Sequence, residues 1–245
     1  RGGGPVEIIA DGLGYPQKIA LDGEHLYITV DESFLPGSPP GAAIVRVAKR
    51  GGQVELVAGG QTSITSLVLH GDDIYFASGY HDPAGSLRRV PKGGGEVQVV
   101  ASPIDTRSLD SARAIPSLAV LGDKLAFVEP VSGKLAFAPL AGGQVETTSL
   151  QVEPYAFVTD GTSLIAATLD RSSWSAALVR VDPRGARGAA LAQWSYTGPN
   201  NVMAGISASM AMALDSERVY WVDFDNHTAS TSLPIVATLR SAPRR

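Results

Sequence analysis

The chain has 245 residues, 18% of them charged, and a formal charge of −4. That balance leaves no basic footprint for nucleic acid, and no apolar run reaches the roughly 18–20 residues that a membrane helix needs. Cysteine is absent, which excludes disulfides, thiolate metal sites and thiol nucleophiles.

The chain opens RGGGP with no apolar segment behind it. Any signal peptide is therefore expected to have been removed or never to have existed. PVEIIA, Pro5–Ala10, then reads as a lone strand. After it comes KIALDGEHLYITV, Lys18–Val30, an apolar strand, a tight turn and an aromatic strand. The module recurs at Ser66–Ser78, Ser117–Glu129, Ala156–Asp170 and Ala211–Asp223. Its turn residues, Gly23, Gly71, Gly122, Gly161 and Ser216, stand 48, 51, 39 and 55 residues apart.

Between these modules lie hairpins: IVRVAKRGGQVELVA at Ile44–Ala58, SLRRVPKGGGEVQVVA at Ser86–Ala101, then Lys134–Ser149 and Leu178–Ala192. Glycine supplies the positive φ that such turns require. Four short strands per unit of roughly 40–50 residues predict a β-propeller. With strands named A to D from the axis outward, five A–B modules are present but only four complete C–D hairpins. The fifth C strand, Ile235–Leu239, runs into SAPRR and has no D strand after it. The expectation is one all-β domain over residues 1–245, a five-bladed propeller of four-stranded antiparallel blades. Pro5–Ala10 would close it by completing the last blade and covering two open edges.

VYWVD at Val219–Asp223 and LYITVD at Leu26–Asp31 resemble the YWTD and NHL classes of propeller repeat. The whole pattern, with RVPKGGG hairpins and IALDG turns, is similar to bacterial secreted or lipoprotein propellers of unassigned function. The resemblance implies an extracellular or cell-envelope location in a bacterium, and it implies a fold far more than an activity. YWTD propellers have six blades, and five here departs from that.

In a propeller the short A–B and C–D turns share one face, and the B–C and D–A connections share the other. The long connections, Asp31–Ala42, Gly79–Gly85, Ser102–Ile115, Trp194–Ser209 and Phe224–Pro234, all fall in the second class. That loop-rich top face is where function is expected. Asp31, Asp82, Asp170, Asp223 and Asp225 gather there, with Glu129 ending the third B strand. Such oxygens could hold Ca²⁺, although Asp commonly accepts bonds from its own loop amides. Tyr80, Trp174, Trp194 and Tyr196, beside Asn200 and Asn201, could form a platform for a sugar or peptide. His81 and His227 each lie near an aspartate, a hint of acid–base or ligand work. Trp221, inside a B strand, reads as core between blades. Tyr27, Tyr75, Phe127 and Tyr220 read as a matching set of interblade aromatics.

The leading functional expectation is a non-enzymatic binding or scaffold propeller that presents its top face to a protein or polar ligand. A carbohydrate-active enzyme, glycoside hydrolase or lyase, is the alternative. It needs paired carboxylates, and the first halves of the A strands, around Gln17, Ser66, Ser117, Tyr155 and Met210, supply none. A lectin repeating one site per blade would need matching loops, and these differ.

Overall fold

The computed structural model describes residues 6–33, 35–79, 85–104, 117–152, 157–170, 173, 175–195, 212–225 and 236–244. It divides into two compact units, Arg1–Arg107 and Ser108–Arg245.

In the first unit, β1 (Pro16–Leu21), β2 (His25–Val30), β3 (Ala42–Ala48) and β4 (Glu55–Gln61) form one antiparallel sheet in that order. A second follows the same order: β5 (Ile64–His70), β6 (Asp73–Ser78), β7 (Gly85–Pro91) and β8 (Gln98–Ile104).

The second unit holds three sheets. In one, β9 (Leu118–Leu121), β10 (Lys124–Val128), β11 (Lys134–Pro139) and β12 (Glu146–Gln151) run in order. The next contains β13 (Phe157–Thr159), β14 (Leu164–Asp170), β15 (Ser175–Val181) and β16 (Arg187–Ser195). The last has three strands, β17 (Met212–Leu214), β18 (Arg218–Asp225) and β19 (Val236–Pro243). All five expected A–B–C series are therefore strands. Two limits move: β18 continues to Asp225, and β19 runs on to Pro243 rather than stopping at Leu239. Val6–Ala10 lies in no strand.

Local chemistry sets the turns. In the first sheet Asp22 Oδ1 accepts the amides of Glu24 and His25, both at 2.9 Å. Asp160 does the same for Thr162 and Ser163 (3.0 and 2.7 Å), and Asp215 for Glu217 and Arg218 (both 2.8 Å). A short acid that satisfies the next amides fixes the reversal without a longer loop. In the C–D turns, Gly94 and Gly95 have φ of 88° and 137°, and the pairs Gly51–Gly52 and Gly142–Gly143 repeat this within a few degrees. Only glycine takes two such residues in succession without strain.

The cores lie between successive sheets of each unit. Tyr27, Ile44 and Val57 of the first sheet pack against Ile74, Phe76 and Val90 of the second. Leu135 and Phe137 of the third meet Leu164, Ala166 and Val179 of the fourth, and Ile165 and Ala167 meet Val219 and Trp221 of the fifth. Trp221 is thus interblade core, as expected. Burying one large apolar side chain in this way contributes roughly 1.5–3 kcal/mol.

The register corrects the aromatic set. Counted from the A–B turns, Leu26, Ile74, Leu125, Leu164 and Val219 are equivalent. Tyr27, Tyr75 and Tyr220 then share a position with Ala126 and Ile165, whereas Phe127 belongs one residue on, with Ile28, Phe76, Ala166 and Trp221. A step of one residue exchanges sheet faces, so Phe127 lies on the opposite face from the tyrosines. Tyr27, Tyr75 and Phe127 are buried, and Tyr220 is half-buried.

Candidate functional site

The series Ile28, Phe76, Phe127, Ala166, Trp221 shows how side-chain volume on one face differs between sheets. At the first position of this face the fourth sheet carries an alanine where three others carry an aromatic ring. The adjacent C-strand position repeats the contrast. Arg88, paired with Phe76, reaches across to Gln61 of β4 (Nη1 to Oε1, 2.8 Å) and to Ser86 (Nε to Oγ, 2.8 Å). Its equivalent in the fourth sheet is Val179, paired with Ala166, and both are buried in the core shared with Leu135 and Phe137.

A cavity of about 670 Å³ lies entirely within the second unit, beyond Ala166 and Val179, which are themselves buried in the core. One wall is the end of β12, with Ser149, Leu150 and Gln151; the other is the face of β14, β15 and β16. Pairing lines up Asp170, Ser175 and Ser195 in one row across the sheet, and Thr168, Ala177 and Gln193 in the next. The lower end is formed by Gly185, Ala186 and Arg187 of the β15–β16 turn. Gly185, with φ of 80°, has no room for a side chain: a Cβ there would lie 2.5 Å from Thr148 Cγ2. That close approach shuts the cleft at its base.

The cleft is polar and internally ordered. The Ser173 hydroxyl bonds Asp170 Oδ2 and Ser175 Oγ, both at 2.8 Å, and Thr168 Oγ1 donates to the carbonyl of Ala177 at 3.3 Å. The Gln151 amide, oriented so that its nitrogen donates, reaches the carbonyls of Ser132 and Gly133 at 3.1 and 3.2 Å. Hydroxyls and primary amides can both donate and accept, which suits a ligand with mixed hydrogen-bonding groups.

Three of the expected top-face acids have described side-chain contacts. Asp31 accepts from Gln17 Nε2 at 2.9 Å, Glu129 from the Ser132 amide at 2.9 Å, and Asp170 from Ser173. Asp223 and Asp225 are placed on β18 opposite Thr238 and Val236. Among the described residues no three acidic or histidine side chains are grouped to hold a metal ion. Asp82, Tyr80, His81, Trp174, Tyr196, Asn200, Asn201 and His227 lie outside the described residues.

Trp194 is not a loop residue: it is in β16, and its ring stacks on Trp221 with centroids 5.6 Å apart and planes 26° from parallel. The Nε1 atoms of both indoles are buried and have no hydrogen-bond partner among the described residues. The cleft residues Ser149, Gln151, Thr168, Ser175, Gln193 and Ser195 were missed by sequence reasoning. They are polar residues spread over four strands, and no motif marks them in the sequence.

Sheets of four antiparallel strands, repeated in one order with their cores between them, define a protein of the β-propeller class. No protein-family model and no curated sequence matches the chain. Solved structures with the propeller architecture do. The N-terminal domain of Nup159 matches with a TM-score of 0.53 and 11% identity over 94% of this chain and 58% of its own. A prolyl endopeptidase matches at 0.51 and 11%, over 84% of this chain and 30% of its own. A putative TolB from Agrobacterium tumefaciens matches at 0.52 and 11%, over 89% and 73%. The chain thus spans little more than half of the first of these and less than a third of the second. At such identity the likeness is one of fold.

Proposed function

We propose that this chain is a non-enzymatic binding propeller of the bacterial cell envelope or exterior, presenting a polar cleft and the adjoining top-face loops to a protein or polar ligand. The observation that carries this reading is the cleft itself, a polar groove between the end of β12 and the face of β14, β15 and β16. Its upper rim, Asp170 with Ser173 and Ser175, belongs to the B–C connections, the class that holds the long loops. Asp170 is its only carboxylate among the described residues, whereas hydrolysis of a glycosidic bond uses two. A thermal-shift screen of polar small molecules and peptides tests the reading. Compounds that stabilise the wild type but not Ser195→Trp support it; compounds that stabilise both equally place binding elsewhere.

The same reading takes the chain as one ring of five YWTD- or NHL-like blades, closed by Pro5–Ala10 beside β19. Val6 and Ile8 are 97% and 85% exposed and Leu239 is 72% exposed, apolar side chains of the kind that a further strand pairing would cover. The chain has no cysteine of its own, so paired substitutions report cleanly. Of Val6→Cys or Ile8→Cys combined with Leu239→Cys or Ser241→Cys, at least one pair should oxidise to an intramolecular disulfide, and failure of all four would refute closure by this strand.

A further inference from the structure

We propose that the cleft of the fourth sheet takes an extended peptide segment, with an acidic side chain or terminal carboxylate directed at Arg187; this rests on the binding reading above. Length comes first. The cleft runs from the row of Ser175 and Ser195 down to Arg187, which pairs with Val181. Six strand residues at about 3.3 Å each span ~20 Å, the reach of about six residues of extended peptide.

Charge gives the direction. Arg187 and Arg184 are exposed at the lower end, and neither guanidinium makes an ion pair or hydrogen bond among the described residues. A guanidinium with its fork unoccupied is the preferred partner of a carboxylate. Between the ends, Gln151, Gln193 and the serine hydroxyls match the alternating donors and acceptors of a peptide main chain.

Two other occupants fit less well. A pyranose seeks an open aromatic face, and Trp194, the aromatic residue of the cleft among the described residues, is packed with Trp221, Leu191 and Met212. Strand addition onto β12 needs its outward amides, and the Leu150 amide already donates to Thr148 Oγ1 at 3.1 Å. Side chains rather than the β12 main chain would therefore hold the peptide.

The test is selection of a bead-displayed library of random hexapeptides with free C-termini against the full chain. Ala177→Trp, which fills the cleft floor, serves for counter-selection. Acidic residues should be enriched at one end of the selected sequences. A labelled selected peptide should bind Arg187→Glu ~10-fold more weakly, the equivalent of one charge-assisted pair, and selection against that variant should favour basic residues instead. Peptides lost in Ala177→Trp but indifferent to Arg187→Glu would overturn the acidic assignment and leave the cleft as a binding site. A library without enrichment, or the same peptides on an Ala177→Trp protein of unchanged melting temperature, would remove both. Should Ala177→Trp fold poorly, Arg187→Glu carries the test alone, since it alters an exposed side chain.

Discussion

Asp22 and Asp160 do the same two tasks in different units. Each caps its own turn, and each also receives a cation that directly follows the C strand of the next sheet. Lys92 Nζ lies 3.5 Å from Asp22, and Arg244 Nη2 lies 2.8 Å from Asp160. An arginine from the acid's own sheet holds each cation's backbone: Arg46 Nη1 donates to the Lys92 carbonyl at 3.0 Å, and Arg180 Nη2 to the Arg244 carbonyl at 2.6 Å. The amides of His25 and Glu24 hold the Asp22 carboxyl well below the usual carboxylate range, helped by Tyr27 and Lys92 against the effect of burial. At Asp160 burial pushes upward, but the amides of Ser163 and Thr162, the Thr162 hydroxyl and Arg244 outweigh it and hold the group low. Folded values below the unfolded value mean that the stabilisation is complete above about pH 4 and drains as pH falls further. The urea midpoint of the wild type should therefore drop between pH 4 and pH 3. Asp160→Asn should start lower at pH 7 and fall less over that interval. Parallel acid limbs would show that Asp160 is not a source of the acid sensitivity. These turn acids were legible as turn residues because Asp-Gly and Asp-Ser punctuate the repeat. Their interblade cations were not, since Lys92 and Arg244 lie 70 and 84 residues away in sequence.

The elements themselves were almost fully legible. Alternating apolar residues between glycine turns mark each strand locally, and every hairpin read from the sequence is a pair of strands in the structure. The register was less legible: Phe127 looks like the partner of Tyr75, yet the turn before it places it with Phe76. The two positions differ in consequence. Phe127 is fully buried and Tyr220 is half-exposed with its hydroxyl on Asp215 at 2.9 Å. Phe127→Ala should cost roughly 3–5 kcal/mol, and Tyr220→Ala far less, because its hydrogen bond to Asp215 lies in solvent. Equal losses in chemical denaturation would contradict the assigned faces. The cleft escaped the sequence reading for a related reason. Serines, a threonine and glutamines spread over β12, β14, β15 and β16 leave no motif, and only the folded sheets bring them to one groove.

At the scale of the molecule, the top-face site expected from loop lengths is partly outside the described residues, whereas the cleft stands on strands. Loop length marks where a chain can vary, but a groove between packed sheets depends on side-chain volume in three strands at once. The stacked pair Trp194–Trp221 gives this chain a built-in optical reporter. All three tryptophans, Trp174, Trp194 and Trp221, belong to the unit Ser108–Arg245, so indole emission follows the unfolding of that unit alone. Far-UV ellipticity follows the strands of both. A closed five-blade ring should melt as one cooperative body, with the two signals superimposed at every denaturant concentration. If the units come apart in turn, the indole curve will separate from the ellipticity curve. The near-UV signal of the coupled indoles will then date the moment at which the fourth and fifth sheets part.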